Sequence, residues 1–166
     1  MPSSNRAYVH SDDYLVELRD AVNTAAPKLL ALGDASASRP AAGKWSPREI
    51  IGHLVDSAMN NYGRIVRGQL QDDLIFPGYA QNDWVRIGRY HDAPWEELVT
   101  LWRTINLQVA RAMEGAPEDA RRRPRERHNF DVLGVGLLSA ESATLEHIMK
   151  DYVGHLKHHL RQIFAE

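Results

Sequence analysis

KWSPREIIGHLVDSAMNNYGRIVRG, residues 44–68, is the stretch that decides the fold. Ser46, Pro47 and Glu49 form an N-cap, a first-turn proline and the acidic half of a capping box, which predicts that a helix begins here. Behind the cap, two stripes recur at helical spacing, one with Ile50, His53, Leu54, Ser57 and Asn61, the other with Ile51, Val55, Ala58, Tyr62 and Ile65. A helix apolar on two sides is typical of one buried between neighbours.

Three further segments repeat apolar residues at three- and four-residue steps, namely 11–34, 91–115 and 142–166. We expect Ser11 and Asp92 to cap two of these helices and Gly115 to end the second of the three. Pro94 should lie in a first turn, and Pro27 should kink or shorten its helix. Four long helices without a convincing strand predict an all-α protein, a four-helix bundle formed as a single domain over residues 1–166.

Two connecting segments show no sustained period. Residues 70–91 hold Pro77, Gly78 and several aromatics, and we interpret them as a long ordered loop with a turn of helix near Trp84. Residues 116–138 carry the run RRRPRER and too much charge, proline and glycine for a regular element. We interpret the arginines as a solvated loop. Binding of an anionic cosubstrate or of nucleic acid is the alternative, and DNA binding ranks last because acidic residues dilute the run.

Composition narrows the function. Hydrophobic residues make up 43% and charged residues 25%, and the net charge is -2, so no basic excess points to a nucleic-acid partner. There is no cysteine, which excludes disulfides, thiolate metal ligands and a cysteine nucleophile. Any thiol must therefore arrive with a substrate. The first residues lack the apolar core of a signal peptide, and no apolar run approaches membrane-spanning length, so we expect a cytoplasmic protein without a membrane partner.

The last predicted helix contains DYVGHLKHHLRQI, residues 151–163. His155 and His159 are four residues apart, so their side chains leave the same face and are close enough to share an ion. His158 is rotated by about 100 degrees from His159 and is less able to join them. His53 lies on an inward stripe of the second helix and is the candidate third ligand. The competing interpretations are a chance pair on a solvated helix and a core histidine satisfied by a hydrogen bond.

W-S-P-R-E-I-I-G-H-L-V-D-S in the second helix and H-L-K-H-H-L-R-Q-I in the last resemble the DinB superfamily, and A-M-N-N-Y-G-R-I-V-R-G resembles its YfiT-like branch. The resemblance extends from about Trp45 to Ile163. It implies a bundle in an up-down-down-up arrangement and one divalent metal held by His53, His155 and His159. Arg161, Gln162 and Ile163 stand where YfiT-like chains often have an alanine-histidine pair, so the chain mixes features of two branches.

The same resemblance implies chemistry on a small-molecule substrate. Similar proteins include S-transferases that use bacillithiol, mycothiol or glutathione, a maleylpyruvate isomerase, and many proteins described only as metal-dependent hydrolases. We therefore expect a metal-dependent enzyme that transfers a low-molecular-weight thiol to a small electrophile. The alternatives are a metal-dependent hydrolase and a non-catalytic bundle with a structural metal. A homodimer is expected from bundles of this kind.

Zinc or nickel is the expected metal, with iron, cobalt, manganese or copper as alternatives; an all-histidine site suits zinc, nickel, copper, cobalt and ferrous iron. Three neutral imidazoles leave a coordination position open for water or a thiol, whose pKa the ion would lower. Asp56, one turn after His53, is the candidate catalytic acid or base, or it orients His53; a solvated acid is the alternative. Asn60 could bind substrate. Gly154 could mark the close approach of another helix or of the substrate.

Overall fold

The protein is described by a computed structural model that covers residues 13–165. The expected cap at Ser11 lies outside these residues. The helices are α1 (Asp13–Leu30), α2 (Pro47–Leu70), α3 (Gln81–Gly88), α4 (Trp95–Glu114), α5 (Glu118–Arg122), α6 (Phe130–Leu133) and α7 (Leu145–Phe164), with 3-10 turns at Gly33–Ala37 and Tyr90–Asp92. Within the described range there is no strand, only two isolated β-bridges that pair Leu74 with His128 and Arg125 with Ala143.

Contacts between helix ends give the direction of each long helix. Arg19 near the start of α1 pairs with Glu114 at the end of α4 at 2.8 Å, so these two helices are antiparallel. Tyr14 at the start of α1 donates to Glu146 at the start of α7 at 3.1 Å, so these two are parallel. Leu145 packs against Gly68, which makes α7 antiparallel to α2. The four-helix bundle therefore has the predicted up-down-down-up arrangement.

The start of α2 is built as the sequence predicts. Ser46 accepts from the Glu49 backbone N–H, and the Glu49 carboxylate accepts from the Ser46 N–H at 2.8 Å. Arg39 adds a bidentate ion pair to the same carboxylate, at 2.7 and 3.0 Å. The Arg39 guanidinium lowers the pKa of Glu49 to about 2. The connection before α2 is thereby fastened to the helix that carries the first candidate ligand.

The core lies between the four long helices, and α2 is buried on nearly all sides of its first half. Fully buried side chains come from every long helix and include Leu18, Leu29, Ile51, Leu54, Trp102, Met113, Ile148 and Tyr152. Tyr152 of α7 also donates a hydrogen bond to Asn106 of α4 inside this core. No helix within residues 13–165 is both long and apolar enough to span a membrane.

Several local predictions need correction. Asp92 belongs to a 3-10 turn and does not cap α4, whose N-cap is Pro94. Pro27 lies inside α1, which continues to Leu30. The turn of helix predicted near Trp84 is present as α3, but residues 116–138 also contain two short helices, α5 and α6, where we expected no regular element. Each of these helices is only about one turn long, which is too short to show a helical period among the charged residues and prolines of this segment.

The arginine run is partly structural and partly solvated, as Arg123 and Arg127 are exposed. Arg121 is buried and donates to the Tyr14 hydroxyl at 2.9 Å. Arg125 is buried and donates to the Gly68 and Arg123 carbonyls at 2.8 and 2.7 Å. Arg122 pairs with Glu118 and with Glu146. These contacts join α5 and its loop to the bundle, which removes the basis for a nucleic-acid surface here.

The capping box gives a prediction for stability. A Glu49→Gln variant should lower the free energy of unfolding by about 1 kcal/mol at neutral pH, because Gln cannot pair with Arg39 as a charge. The folded pKa of Glu49 is depressed, so its contribution is present above its ordinary value of 4.5 and is lost as pH falls toward about 2. Urea unfolding across this range should show the two proteins converging at acid pH.

The matched control is Glu17→Gln, which removes an exposed carboxylate whose partner Lys157 lies at 2.9 Å on the surface. It should change the free energy of unfolding by less than about 0.5 kcal/mol. Equal effects of the two substitutions at neutral pH would contradict the account of the α2 start.

Candidate metal centre

The structure brings the three predicted histidines together. His53, in the second turn of α2, meets His155 and His159 near the end of α7. The His155 Nε2 atom lies 3.2 Å from that of His53 and 3.1 Å from that of His159. One nitrogen from each ring lies within 4.8 Å of the other two. Ligand nitrogens about 2.0 Å from a tetrahedral zinc stand about 3.3 Å apart, so the spacing fits a shared ion.

Burial keeps these imidazoles neutral, which is the protonation state a metal requires. His53 is 1% exposed, and His155 and His159 are half-buried. Burial, reinforced by the neighbouring rings, lowers the pKa of His53 to about 3 and that of His155 to about 4. Burial also lowers the pKa of His159. At neutral pH each ring can therefore present a lone pair instead of a charge.

Gln162 orients the third ring and was missed as a site residue. Its Oε1 atom accepts from His159 Nδ1 at 2.7 Å, which places the proton on Nδ1 and leaves Nε2 as the lone-pair nitrogen facing the cluster. Its amide nitrogen lies 3.1 Å from Nε2 of the exposed His158. The sequence signal is the i, i+3 spacing from His159 to Gln162, which places the two side chains on neighbouring positions of one helix face. His158 itself stays outside the cluster, as predicted.

His53 is covered by Trp45, whose ring centroid lies 5.1 Å from that of the imidazole. Trp45 precedes the capping box, so the geometry that begins α2 also places this cover. His53 Nδ1 is buried and has no hydrogen-bond partner within the described part of the chain. The competing interpretation, a core histidine satisfied by a hydrogen bond, accounts only for Nε2, which lies 3.2 Å from His155 Nε2, and leaves Nδ1 unpaired.

Asp56 is buried, at 3% exposed, and is not the solvated acid of our alternative interpretation. The Tyr90 hydroxyl donates to its Oδ1 at 2.5 Å, while Oδ2 is buried without a partner. Burial raises the pKa of the Asp56 carboxyl, and the Tyr90 hydrogen bond opposes that rise. No hydrogen bond joins Asp56 to His53 among the described contacts, so the structure does not bear out a direct orienting contact.

A glycine does allow close approach here, but at Gly52 and not at Gly154. A Cβ on Gly52 would lie 2.1 Å from the Tyr90 ring, so only glycine lets that ring lie against α2 and reach Asp56. A Cβ on Gly154 would meet nothing within 4 Å, so no neighbouring helix requires that glycine. The two sites were indistinguishable by sequence because the partner of Gly52 is 38 residues away in the chain.

Comparison with known proteins places this geometry in a family. The profile of the DinB superfamily matches residues 15–163. The chain belongs to the DinB superfamily. A relative from Geobacillus thermodenitrificans (strain NG80-2), provisionally named a metal-dependent hydrolase, is 23% identical over 150 residues, covering 90% of this chain and 78% of that protein.

The fold is also found in a solved structure. YfiT from Bacillus subtilis, described as a probable metal-dependent hydrolase with an unusual four-helix bundle topology, matches with a TM-score of 0.75 and 18% identity. The match covers 99% of this chain and 90% of YfiT. It confirms the DinB-type bundle, whose parallel middle helices distinguish it from a simple up-down-up-down arrangement.

The lowered pKa values predict how metal-free protein responds to pH. The unfolded chain takes up protons on His53 and His155 below the ordinary value of 6.5, whereas the folded rings resist protonation until about 3 and about 4. The free energy of unfolding should therefore fall as pH decreases from 6.5 toward 4. Chemical denaturation of chelator-treated protein measures this slope.

A His53→Gln variant should show a shallower slope, because one of the resisting groups is gone. His128→Gln serves as the matched control and should keep the parent slope, because His128 is exposed and pairs with Leu74, beyond the far end of α2 from His53. An unchanged slope in His53→Gln would show that its ring does not titrate differently in the folded and unfolded states.

Proposed function

We propose that the protein is a metal-dependent enzyme in which His53, His155 and His159 bind one divalent ion. The observation that carries the proposal is the convergence of three neutral Nε2 atoms, 3.1 and 3.2 Å apart, from two antiparallel helices. Imidazoles buried together without an acidic partner are costly unless a shared cation uses their lone pairs. Zinc and nickel are the preferred metals; iron, cobalt and copper also accept imidazole ligands, whereas manganese prefers oxygen ligands and ranks last.

A divalent ion held by three neutral ligands keeps its full charge and an open position, and so supplies a water or thiol of lowered pKa. The chain's own residues hold the ligands and shape the surroundings. Gln162 keeps the His159 proton on Nδ1, and Trp45 shields His53 from solvent. Such a site is of the catalytic kind rather than the closed four-ligand kind used for structure.

Asp56 is the proposed acid-base residue. Its Oδ2 atom is buried without a partner, and its raised pKa favours proton exchange nearer neutral pH than for an exposed carboxyl. Tyr90 fixes the other oxygen, so the carboxyl group cannot turn freely. We propose that Asp56 accepts a proton from the nucleophile or returns it to the leaving group.

Two reactions suit this arrangement. Transfer of a low-molecular-weight thiol to a small electrophile is our first assignment, on the family resemblance alone; because the chain has no cysteine, the thiol would be an external one. Hydrolysis with water as the nucleophile is the second, favoured by the descriptions of the Geobacillus and Bacillus relatives. A cytoplasmic homodimer with a single domain stays a prediction from the sequence.

The first experiment is metal analysis of protein purified without an affinity tag. The parent should contain about one equivalent of metal, and His155→Ala should lose it while keeping its helical circular dichroism. His158→Ala changes an exposed histidine on the same helix and should retain the metal. Parent protein that stays metal-free after incubation with zinc and with nickel would overturn the proposal.

Product analysis then separates the reactions. The metal-loaded protein should form a thioether from a reactive electrophile only when bacillithiol, mycothiol or glutathione is supplied, and Asp56→Asn should reduce the rate by about 100-fold. Ester or amide cleavage without added thiol would identify the hydrolase instead. Equal rates with parent and His155→Ala would show that the observed reaction does not use the histidine centre.

Gln162 provides an independent test of the ligand geometry. Gln162→Leu removes the acceptor for His159 Nδ1 and should weaken zinc binding by about 10- to 100-fold. Gln162→Glu retains an acceptor oxygen at the same position and should keep the parent affinity or exceed it. Competition with a chromophoric chelator measures both. Equal affinity of the Leu variant and the parent would mean that His159 is not a ligand.

A further inference from the structure

A second polar feature continues along α2 from the histidine centre. Asn60 and Arg64 follow His53 at seven and eleven residues, so all three leave the same side of the helix. Asn60 and Arg64 also line a cavity of about 660 Å3 that is open to solvent and that Pro77 and Trp84 border. This volume suits a small organic molecule. The two residues therefore belong both to the cavity and to the stripe that carries the metal ligand.

Arg64 is a buried cation that the protein itself leaves poorly matched. It is only 7% exposed, yet its guanidinium donates just to the Asn61 side chain at 3.4 Å and the Pro77 carbonyl at 3.3 Å. Both bonds are long and both acceptors are neutral. No carboxylate within residues 13–165 lies at ion-pair distance from it. A buried guanidinium normally has such a partner, because removing its charge from water is expensive.

Two other buried arginines show how this chain usually satisfies the group. Arg121 lies 3.7 Å from the Glu146 carboxylate and donates to a tyrosine hydroxyl at 2.9 Å. Arg125 lacks a carboxylate but donates to two backbone carbonyls at 2.7 and 2.8 Å. Arg64 has neither arrangement. Its position on a cavity wall leaves room for an anion that the chain does not supply.

The titratable groups that face Arg64 are the Asp151 carboxylate of α7 and the Tyr79 hydroxyl in the loop after α2, and burial raises the pKa of Tyr79, so its hydroxyl is uncharged at neutral pH. Asp151, one turn before His155, and Tyr79 both interact electrostatically with the guanidinium. Asp151 is open to solvent and stands beyond ion-pair distance. Eleven residues of helix span about 16 Å, so Arg64 lies about three turns of α2 from His53.

We propose that Arg64 binds a carboxylate of the substrate, and that the enzyme acts on small carboxylic acids whose reacting atom is separated from that group by several bonds. The inference rests on the proposed function, since the histidine centre receives the reacting end. The negative charge of Asp151 restricts the site to one carboxylate and weakens its binding. Asn60, between the two ends, offers an amide to polar groups of the ligand.

The test uses cobalt-substituted protein, in which binding of a thiol to the metal produces a near-ultraviolet charge-transfer band. The probes are ω-mercaptocarboxylates from 3-mercaptopropionate to 8-mercaptooctanoate, each compared with its primary amide. The longer acids should bind about 10-fold more tightly than their amides, with the preference absent for the shortest acid. Equal binding of acid and amide at every length would overturn the proposal while leaving the metal centre intact.

Variants separate ligand binding from a merely structural role. Arg64→Gln should abolish the preference for acids, and Arg64→Lys should retain part of it, because it keeps the charge but loses the fork of donors. Asp151→Asn should strengthen acid binding. This effect is not expected if Arg64 serves only to hold the loop through its hydrogen bond to the Pro77 carbonyl. Arg111→Gln, at an exposed arginine of α4, is the matched control and should behave as the parent.

A metal-free arm makes the inference independent of the proposed centre. Hexanoate should raise the melting temperature of chelator-treated parent protein, hexanamide should not, and Arg64→Gln should lose the shift. If neither cobalt, zinc nor nickel binds, the proposed function fails and this metal-free measurement alone decides the carboxylate site. Absence of any difference between hexanoate and hexanamide in the parent protein would overturn the site without requiring that a variant fold.

Discussion

The antiparallel packing of α2 against α7 is the constraint on which the rest of the site depends. His53 lies in the second turn of α2, and His155 and His159 lie in the last turns of α7, so only antiparallel helices bring them to one level. If the two helices were parallel, His53 would face the first turns of α7 instead. The long connections over residues 71–94 and 115–144 permit this arrangement, because they let α4 run parallel to α2.

The elements that begin α2 also complete the histidine centre. The capping box and its ion pair to Arg39 fix the first turn, one turn before His53, and Trp45 lies just ahead of the cap and over the imidazole. The segment after α3 contributes Tyr90, which can lie against the helix only because residue 52 is glycine. The buried imidazoles and the Asp56 carboxyl, of which only one oxygen is hydrogen-bonded, destabilise the fold, and the surrounding contacts keep them buried all the same. Such unfavourable burial is expected where a site is organised for a ligand.

Sequence patterns predicted the features that depend on local spacing. The four helices, the α2 cap and the shared face of His155 and His159 all follow from periodicity and capping, and the structure has them. Contacts between distant segments were not predictable in this way. These contacts depend on how the connecting segments pack against the bundle. They include the hydrogen bond of Tyr90 to Asp56, the burial of Arg121 and Arg125, and the place of Arg64 at the cavity wall. A single sequence does not show which distant residues will be in contact. The directions of the helices were predicted from the family resemblance.

X-ray absorption spectroscopy of the zinc-loaded protein tests the central claim most directly. We predict a first shell of three imidazole nitrogens at about 2.0 Å with one further light-atom ligand, and loss of one imidazole when His53 is replaced by alanine. A shell with two or fewer imidazoles in the parent protein, or one unaffected by the His53→Ala substitution, would contradict it. Either result would mean that the convergence of His53, His155 and His159 does not bind a single ion.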